Sequence, residues 1–355
     1  MDKRAGDSVL IAYSPGELVW PERESAILRL PLADFQKRNI SGRELEPRLG
    51  RFYPQGMLRG ILGVYPSTMA PCRVVSMEDD AFVVDCNHPL ARLPLSLEAH
   101  LIHLEDKRSE TGGRLSHWVE EICNWGPGMQ ATLPHAPTDF FEEAFFHRQD
   151  DGGDAAFYDE PRIVGHVDTR ASSVLQGLYA RHLEPGMRVL DLMSSVQSHL
   201  PQAMDLDVTG LGLNIKELQQ NPVLTRHVVH DLNREPTIPM GASGYDAVVC
   251  SLSFEYLTQP VAVLKSVRNV LAPGGSVLLG VSNRWFSSKV VAGWIDLHEF
   301  ERVGYMLECL RRAGFGAGLE AVSVRNEWRP PWDKHFVETR GVSDPIYVVS
   351  AKKTA

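Results

Sequence analysis

The sequence predicts an α/β protein in which a mostly parallel sheet, covered by helices on both faces, follows a smaller β-rich domain. The first observation behind this prediction is a change in the sequence pattern near the middle of the chain. Up to about His103 short β segments are broken by Gly and Pro, whereas from Phe157 onward strands and helices alternate. Such alternation is typical of parallel βαβ units. The second observation is the length, because 355 residues exceed one ordinary domain and suggest two.

The composition is that of a globular protein, with 43% hydrophobic and 23% charged residues. Acidic residues (45) outnumber Lys and Arg (36), and the net charge of -9 argues against a nucleic-acid partner. The five cysteines are scattered and form no CxxC pair, which argues against a disulfide framework or a metal site and favours a cytoplasmic location. No apolar run reaches the length of a signal peptide or a membrane span, so no membrane partner is expected.

Three segments are predicted: an accessory β-rich domain at 1–104, a connecting arm at 105–154 and the α/β domain at 155–355. The arm contains a GPG turn at Gly126–Gly128, but its aromatic run Phe140–Phe146 is too apolar for a free linker. We therefore expect the arm to pack on one of the two domains. The strands predicted in the accessory domain are Cys72–Met77, Ala81–Cys86 and Ser96–Leu104.

In the α/β domain, Pro-Gly pairs end two of the helices and so separate them from the strands that follow. The predicted helices are Ser172–His182, Ile215–Gln220, Val261–Leu271 and Asp296–Ala313. The predicted strands are Val189–Leu192, Val208–Leu213, His227–His230, Asp246–Cys250, Ser276–Val281, Glu320–Arg325 and Ile346–Ala351.

The stretch Gly186–Leu200, GMRVLDLMSSVQSHL, has the layout of a ligand loop. A short strand reaches Asp191 and then turns through small polar residues toward an expected helix, the place where a Rossmann-like sheet holds a nucleotide-type ligand. Glycines usually let the backbone approach the ligand there, but Met193, Ser194 and Ser195 occupy the turn. We expect their backbone amides to meet the ligand. Asp191 could face a positively charged amino group, order the loop, or cap the next helix.

Several further motifs stand downstream in a fixed order: LGLNIKEL at Leu211–Leu218, HVVHDLN at His227–Asn233, YDAVVCSLSFEYL at Tyr245–Leu257 and the Pro-Gly-Gly turn in Val263–Asn283. With them, Val189–Lys353 resembles the class I S-adenosylmethionine-dependent methyltransferases, particularly the small-molecule type 11 branch. The resemblance implies a Rossmann-like sheet and S-adenosylmethionine as cofactor.

The resemblance also implies a set of cofactor contacts. Asn214 stands where the family places an acidic residue for the ribose hydroxyls, and as a neutral acceptor it departs from that pattern. Asp231 stands where the family's carboxylate meets the adenine amine, although it could equally form a turn with Asn233. The predicted cofactor-binding residues are Asp191, Met193, Ser194, Ser195, Asn214, Asp231, Leu232 and Cys250.

The candidate catalytic residues are His166, Tyr158 and Glu255. His166 could act as a general base because its ordinary pKa lies near working pH, or it could be a surface or capping histidine. Tyr158 precedes the first strand in a region that lids the cofactor in this family. Glu255 follows the fourth strand, whose carboxyl end faces the transferred methyl group in the family's fold. A thiolate acceptor would need little help from a base, whereas a hydroxyl or a carbon acid would need one.

The first domain carries a second resemblance. DCNHPLA at Asp85–Ala91 is similar to the closing segment of SlyD-type FKBP prolyl isomerases, and Ile27–Leu104 resembles these proteins with their insert-in-flap chaperone module. Arg92 replaces the glycine expected next. The front half of an FKBP domain is missing, so isomerase activity is not expected. The module either binds apolar polypeptide, or serves as a dimerising or lid domain.

The leading hypothesis is therefore a methyltransferase that transfers a methyl group from S-adenosylmethionine to a small molecule such as a thiol, a sulfide or another small nucleophile. A second hypothesis is a protein methyltransferase that recruits its polypeptide through the SlyD-like domain. A third is a non-catalytic chaperone or scaffold. The N-terminal domain could also mediate a homodimer.

Overall fold

The protein is described by a computed structural model at residues 4–40, 43–101, 104, 106, 139–242 and 244–354. It divides into two compact units. The first takes most of the chain to residue 137, and the second takes Thr138–Ala355 together with Ile40–Arg43 and Gln130–Pro134. The predicted turn Gly126–Gly128 lies outside the described residues, as do the tryptophans at 118 and 125.

The N-terminal unit is built from short antiparallel strands, which confirms the prediction of a β-rich region. β2, β7, β6 and β5 form a four-stranded sheet in that order, while β1 pairs with β8 and β3 with β4. The strands are β1 Ser8–Tyr13, β2 Ile27–Pro31, β3 Asn39–Ile40, β4 Arg43–Glu44, β5 Phe52–Pro54, β6 Pro71–Met77, β7 Ala81–Asp85 and β8 Leu95–His100.

An aromatic cluster forms the core of this sheet. Phe35 meets Tyr53 and Phe82 edge to face, with ring centroids 5.1 and 5.9 Å apart, a geometry that aromatic pairs prefer. After β7, Asn87 fixes the turn through both ends of its amide, which accepts from the Arg23 N–H and donates to the Arg23 carbonyl. Arg92 does not need the left-handed backbone that a glycine would offer there.

The C-terminal unit is an α/β structure. Its strands are β9 Arg188–Leu192, β10 Asp207–Gly212, β11 Arg226–Val229, β12 Tyr245–Ser251, β13 Leu271–Val281, β14 Ala317–Val324 and β15 Ile346–Lys352. Its helices are α1 Asp154–Phe157, α2 Thr169–Ala180, α3 Ile215–Gln220, α4 Pro260–Val270, α5 Ala292–Asp296 and α6 Glu299–Arg312.

The seven strands form one sheet in the order β11-β10-β9-β12-β13-β15-β14. The pairs from β11 to β13 are parallel, and β15 runs antiparallel to both of its neighbours. This mixed, mostly parallel sheet confirms the predicted fold class of this half. The chain crosses from one side of β9 to the other between β11 and β12. In open α/β sheets a ligand binds outside the carboxyl ends of the strands at such a reversal.

Two buried clusters cover the two faces of the sheet. Successive residues of a strand point to opposite faces, so Val248 of β12 packs in one cluster and Val249 in the other. α2 covers the second face, whereas α4, α5 and α6 cover the first. The aromatic run at 140–146 joins the first cluster, where Phe140 and Phe145 are buried.

The structure corrects two predicted helices. The helix expected at Asp296–Ala313 is observed as α6, which begins three residues later at Glu299, where Glu301 Oε2 accepts the N–H of His298 over 3.3 Å. Asp296 is the last residue of the separate helix α5. The helix expected after β9 is absent, and residues 193–206 form an irregular loop. None of the described helices is long and apolar enough to cross a membrane.

Candidate functional site

A cleft opens at the carboxyl ends of β9, β10, β11 and β12, beside the reversal of the strand order. It holds about 790 Å³ of empty space, its open mouth included. Eight predicted site residues line it: Tyr158, His166, Met193, Ser194, Ser195, Asn214, Asp231 and Leu232. Its other lining residues include Arg148, Asp154, Arg162, Gly212, Glu217, Leu252, Tyr256, Phe286 and Lys289.

The loop after β9 packs against β10 and contains no glycine turn. The Ser194 N–H donates to the Leu211 carbonyl over 2.8 Å, and the Ser194 carbonyl oxygen lies where a Cβ at Gly212 would stand. The Ser194 amide is therefore engaged within the protein. This corrects the expectation that the amides of this loop are all free to meet the cofactor. The close approach that a loop glycine would allow is provided by a glycine of the neighbouring strand.

Asp191 orders this loop. Its side chain is buried and accepts a hydrogen bond from Ser194 Oγ over 2.5 Å. Burial raises the pKa of Asp191 to about 7, because a low-dielectric surrounding disfavours the charged form. Asp191 does not line the cleft, and no helix follows for it to cap. Of the three interpretations left open by the sequence, the geometry supports the ordering of the loop.

Asn214 joins helix α3 to the segment before the sheet. Its Oδ1 accepts the N–H groups of Lys216 and Glu217 over 2.9 and 3.3 Å, which makes it the N-cap of α3. Its Nδ2 donates to the carbonyls of Tyr158 and Asp159 over 2.8 and 3.0 Å. The amide that was predicted to bind a ribose hydroxyl is thus used inside the protein.

Glu217 is a site residue that the sequence analysis missed. Its buried carboxylate accepts the Arg162 N–H through Oε1 and the Ser195 hydroxyl through Oε2, each over 2.6 Å. It therefore ties the loop after β9 to the segment before the sheet. The available signal was its position three residues after an N-cap asparagine, where a glutamate often completes a helix start.

Asp231 forms a turn and still has acceptor capacity left. Its Oδ1 accepts the N–H groups of Asn233 and Arg234 over 3.0 and 3.2 Å, which is the turn-forming interpretation. Among the residues that the structure describes, Oδ2 and the N–H of Leu232 have no hydrogen-bond partner. A free acceptor beside a free donor is complementary to the amine and ring nitrogen at the edge of adenine. This donor set fits the adenosine part of S-adenosylmethionine.

Two residues with positive φ flank the cleft. Met193 follows β9 with φ 54°, and Leu252 follows β12 with φ 55°. Such a conformation costs about 1–3 kcal/mol for a residue other than glycine and persists only where its surroundings hold it. The Leu252 N–H is held by the Gly280 carbonyl over 2.7 Å. The backbone strain therefore lies at the reversal of the sheet, where both residues line the cleft.

A buried ion cluster fixes the segment before the sheet. Arg148 Nη1 donates to both oxygens of Asp154 over 2.8 and 2.9 Å, and Lys289 Nζ lies 3.2 Å from Asp154 Oδ1. Asn233 Nδ2 completes the set by donating to Asp154 Oδ2 over 2.7 Å. Because each charge has a partner, the cluster can remain buried and can hold α1 at the rim of the cleft.

An aromatic wall stands beside this cluster. The Arg162 guanidinium lies 4.0 Å from the ring centroid of Phe157, 5.3 Å from that of Tyr158 and 5.2 Å from that of Phe286, within the range of cation–π attraction. Burial raises the pKa of the Tyr158 hydroxyl, so this phenol stays protonated near neutral pH. Tyr158 is therefore placed to bind or orient, rather than to remove a proton.

His166 lies where the cleft meets a second cavity. Its ring packs edge to face on Phe286, with centroids 5.8 Å apart. Burial lowers the pKa of His166 below its ordinary 6.5, so the imidazole is neutral near pH 7 and can accept a proton. The N-cap of α2 is Asp168. The capping role that the sequence left open for this region thus belongs to Asp168 and not to His166.

The second cavity adjoins the cleft and holds about 840 Å³, its mouth included. Four residues line both spaces: His166, Leu252, Tyr256 and Phe286. The Tyr256 hydroxyl accepts the Phe286 N–H over 2.8 Å, which fixes the two rings at the junction. A ligand in one cavity would therefore lie next to a ligand in the other.

Besides Asp191, two further predicted site residues lie outside the cleft. Cys250 belongs to the face of β12 that packs in the first core cluster, and burial raises the pKa of its thiol. Glu255 is fully buried in the 3-10 turn Phe254–Tyr256. Neither lines the cleft, so the predictions of a cofactor contact for Cys250 and of a catalytic role for Glu255 find no support in their positions.

Glu255 makes the stability of the protein depend on pH. Burial raises its pKa from 4.5 to about 8, and its carboxylate oxygens have no hydrogen-bond partner among the described residues. Because the pKa of Glu255 is higher in the folded than in the unfolded protein, folding favours the protonated carboxyl. Its contribution to the free energy of unfolding is fully present below pH 4.5 and is lost as the pH rises through about 8. We expect Glu255→Gln, which cannot ionise, to gain about 3–5 kcal/mol of unfolding free energy over the wild type between about pH 5 and about pH 9.

Urea unfolding of both proteins across this range measures the difference. Glu160→Gln, at an exposed position, is the control and should follow the wild type at each pH. A Glu255→Gln variant that is less stable than the wild type at high pH would contradict the account. It would mean that the carboxylate is ionised and held by the buried Arg302.

Among the described residues, no group of three or more His, Cys, Asp or Glu side chains could hold a metal ion. The fit to S-adenosylmethionine rests on the free acceptor at Asp231 and the free donor at Leu232.

A family model described as a methyltransferase domain matches residues 194–279. The matched segment runs from the loop after β9 to β13 and so includes most of the cleft. No curated protein matches the sequence.

Several solved structures are similar to part of the chain. A methyltransferase from Mesorhizobium loti that depends on S-adenosylmethionine is 19% identical, over 50% of this chain and 95% of its own, with a TM-score of 0.33. One from Aquifex aeolicus is 15% identical, over 58% of this chain and 100% of its own, with a TM-score of 0.36. The cyclase SpnF is 15% identical, over 57% of this chain and 91% of its own, with a TM-score of 0.40.

Proposed function

We propose that this chain, an S-adenosylmethionine-dependent methyltransferase with S-adenosylmethionine as its cofactor, methylates a small molecule bound in the second cavity. The observation that carries the proposal is the meeting of two cavities at His166, Leu252, Tyr256 and Phe286. Methyl transfer needs two ligands held next to each other, and most of its rate comes from proximity and alignment. Two cavities that share part of their lining supply that arrangement.

When bound, S-adenosylmethionine would supply the methyl group of its sulfonium: an acceptor atom in line with the C–S bond would attack the methyl carbon, and that bond would break to leave S-adenosylhomocysteine. Asp231 and Leu232 would hold its adenine edge, and Gly212 leaves room for the loop that lies beside it. The ring of His166, neutral because burial lowers its pKa, would take the proton of the acceptor. Tyr256 and Phe286, fixed to each other by a hydrogen bond, would bound the path between the two ligands and exclude water from it.

A second candidate function is methylation of a polypeptide that the N-terminal unit recruits. It is supported by large apolar side chains on that unit, since Trp20, Leu62 and Tyr65 are 80%, 102% and 67% exposed. The similarity of Asp85–Ala91 to SlyD-type proteins points the same way, and a homodimer could form through the same surface. Four cysteines, Cys72, Cys86, Cys250 and Cys309, are free thiols, which supports a cytoplasmic location within this proposal.

A methyl-transfer screen with the full-length protein and methyl-labelled S-adenosylmethionine tests the proposal. The acceptors are thiols, sulfide, amines, phenols and carboxylates, with a reduced unfolded protein as the polypeptide arm. We expect label in one class of small molecules and none in the polypeptide. Label in the polypeptide alone would favour the second candidate, and label in neither would overturn both.

A further inference from the structure

Resting on the proposed function, we propose that the acceptor carries an anionic group, a carboxylate or a phosphate, which Arg284 and Lys334 bind in the second cavity. Both side chains line this cavity. The inference depends on which of the cavity's charges are already engaged within the protein and which are left for a ligand.

The acidic residues that line the cavity form ion pairs with Arg329. Arg329 is buried and forms ion pairs with Asp333, Asp344 and Asp168 over 3.0, 2.5 and 3.4 Å. Asp168 also accepts the Ser343 hydroxyl and the Asp344 N–H. These carboxylates therefore have partners of their own, and Arg329 has no charge left over for a ligand.

Arg284 is held at one nitrogen only. Its Nε donates to Asp344 Oδ1 over 2.8 Å, and Nη1 and Nη2 make no hydrogen bond to any of the described residues. A guanidinium fixed at Nε presents its two terminal nitrogens in a plane. This is the fork that binds a carboxylate or a phosphate through two parallel hydrogen bonds.

Lys334 supplies a second cation. Its side chain is exposed at the mouth of the cavity and forms no ion pair with a residue that the structure describes. The cavity thus carries equal numbers of Asp and of Lys or Arg, and it offers the unused N–H donors of Arg284 and Lys334. An anion forms charge-assisted hydrogen bonds with both, which are stronger than the bonds that a neutral acceptor forms.

The rest of the lining indicates the body of the acceptor. Three aromatic residues, Tyr256, Trp285 and Phe286, line the second cavity, and Tyr256 and Phe286 also line the cleft. Tyr256 and Phe286 lie nearly parallel, with centroids 6.1 Å apart and planes 28° apart. Such walls suit a flat or apolar body. The acceptor class is therefore a small aromatic or apolar molecule with one anionic group.

Calorimetric titration of the full-length protein tests this inference, with and without S-adenosylhomocysteine. The probes are benzoate, phenyl phosphate and the neutral benzamide. We expect the preferred anion to bind at least about tenfold more tightly than benzamide, and comparison of benzoate with phenyl phosphate identifies the group. Arg284→Lys, which keeps the charge and loses the fork, and Lys334→Gln, at an exposed position, should each weaken anion binding by about tenfold. Arg226→Gln, whose ion pair is exposed and lies in neither cavity, should bind as the wild type does.

Equal affinity for benzoate, phenyl phosphate and benzamide would overturn the inference, as would no anion binding, or full binding by Arg284→Lys and Lys334→Gln. The proposed function can fail separately. If S-adenosylhomocysteine does not bind but the anions do, the assignment of the cleft to the cofactor is wrong and the anion site stands. If neutral acceptors are methylated as fast as anionic ones, the proposed anion site is wrong and the proposed methyltransferase function stands.

Discussion

The His166→Gln variant is expected to lose a factor of roughly 10² to 10⁴ in kcat, the usual contribution of a positioned general base. His166 is the imidazole that borders both cavities, and burial keeps it neutral by lowering its pKa below 6.5. Glutamine is similar in size and polarity but cannot take the proton. Because His166 would act on the acceptor, the affinity for S-adenosylhomocysteine should change little.

The pH profile separates catalysis from a structural role. In the wild type kcat/KM should fall only below the ordinary histidine pKa of 6.5, where His166 becomes protonated. The variant should lack this acid limb. His182→Gln is the matched control, because burial also lowers the pKa of His182 although it lines neither cavity. If His166→Gln keeps the wild-type rate and profile, His166 is not the base.

The second large effect is expected for Gly212→Ala. A Cβ at this position would overlap the Ser194 carbonyl oxygen and approach Leu218 Cδ2 to 3.1 Å. The Ser194 carbonyl cannot move away without disturbing the hydrogen bonds that Ser194 donates to Leu211 and Asp191. We expect a loss of about 3 kcal/mol of unfolding free energy. Because the loop borders the cofactor cleft, kcat/KM should fall on the order of 100-fold.

Gly177→Ala is the control for this substitution. Nothing lies within 4 Å of a Cβ at Gly177, which stands inside α2. There alanine should stabilise the protein by about 0.5–1 kcal/mol through its higher helix propensity. Denaturant unfolding and steady-state kinetics measure both variants. Wild-type stability and cofactor affinity in Gly212→Ala would show that the loop does not depend on this contact.

The element order of the C-terminal unit could be predicted from the sequence because buried strands and amphipathic helices differ in period and length. Helix α3 was predicted with its observed bounds, and β9 and β12 within one residue at each end. The start of α6 was predicted three residues too early, at the last residue of α5, because Leu297 keeps the apolar pattern continuous. The signal for it was polar, a histidine followed three residues later by Glu301.

The shape of the loop after β9 could not be predicted, because its support comes from residues distant in sequence. Leu211 holds the Ser194 amide, Asn221 Nδ2 donates to the Ser195 carbonyl over 2.8 Å, and Gln176 Nε2 donates to the Leu200 carbonyl over 2.8 Å. The absence of loop glycines pointed to a different shape. The glycine at 212, which makes that shape possible, lies in another strand.

The candidate site was predicted in part. Residues named from strand ends, such as Met193 and Asp231, line the cleft because the carboxyl ends of parallel strands meet at one edge. Cys250 and Glu255 come from the same edge and yet are buried: Cys250 lies on the face of β12 that packs in the first cluster, and Glu255 lies in the 3-10 turn Phe254–Tyr256. Glu217 and Lys289 were missed because their roles depend on partners more than 20 residues away.

A crystal structure of the full-length protein with S-adenosylhomocysteine tests the central claim most directly, namely that cofactor and acceptor occupy adjoining cavities that meet at His166. The account predicts the adenine at Asp231 and Leu232, the ligand within the cleft, and the second cavity open to it at Tyr256 and Phe286. A ligand bound elsewhere, or one that fills the second cavity and leaves no room for an acceptor beside His166, would contradict it.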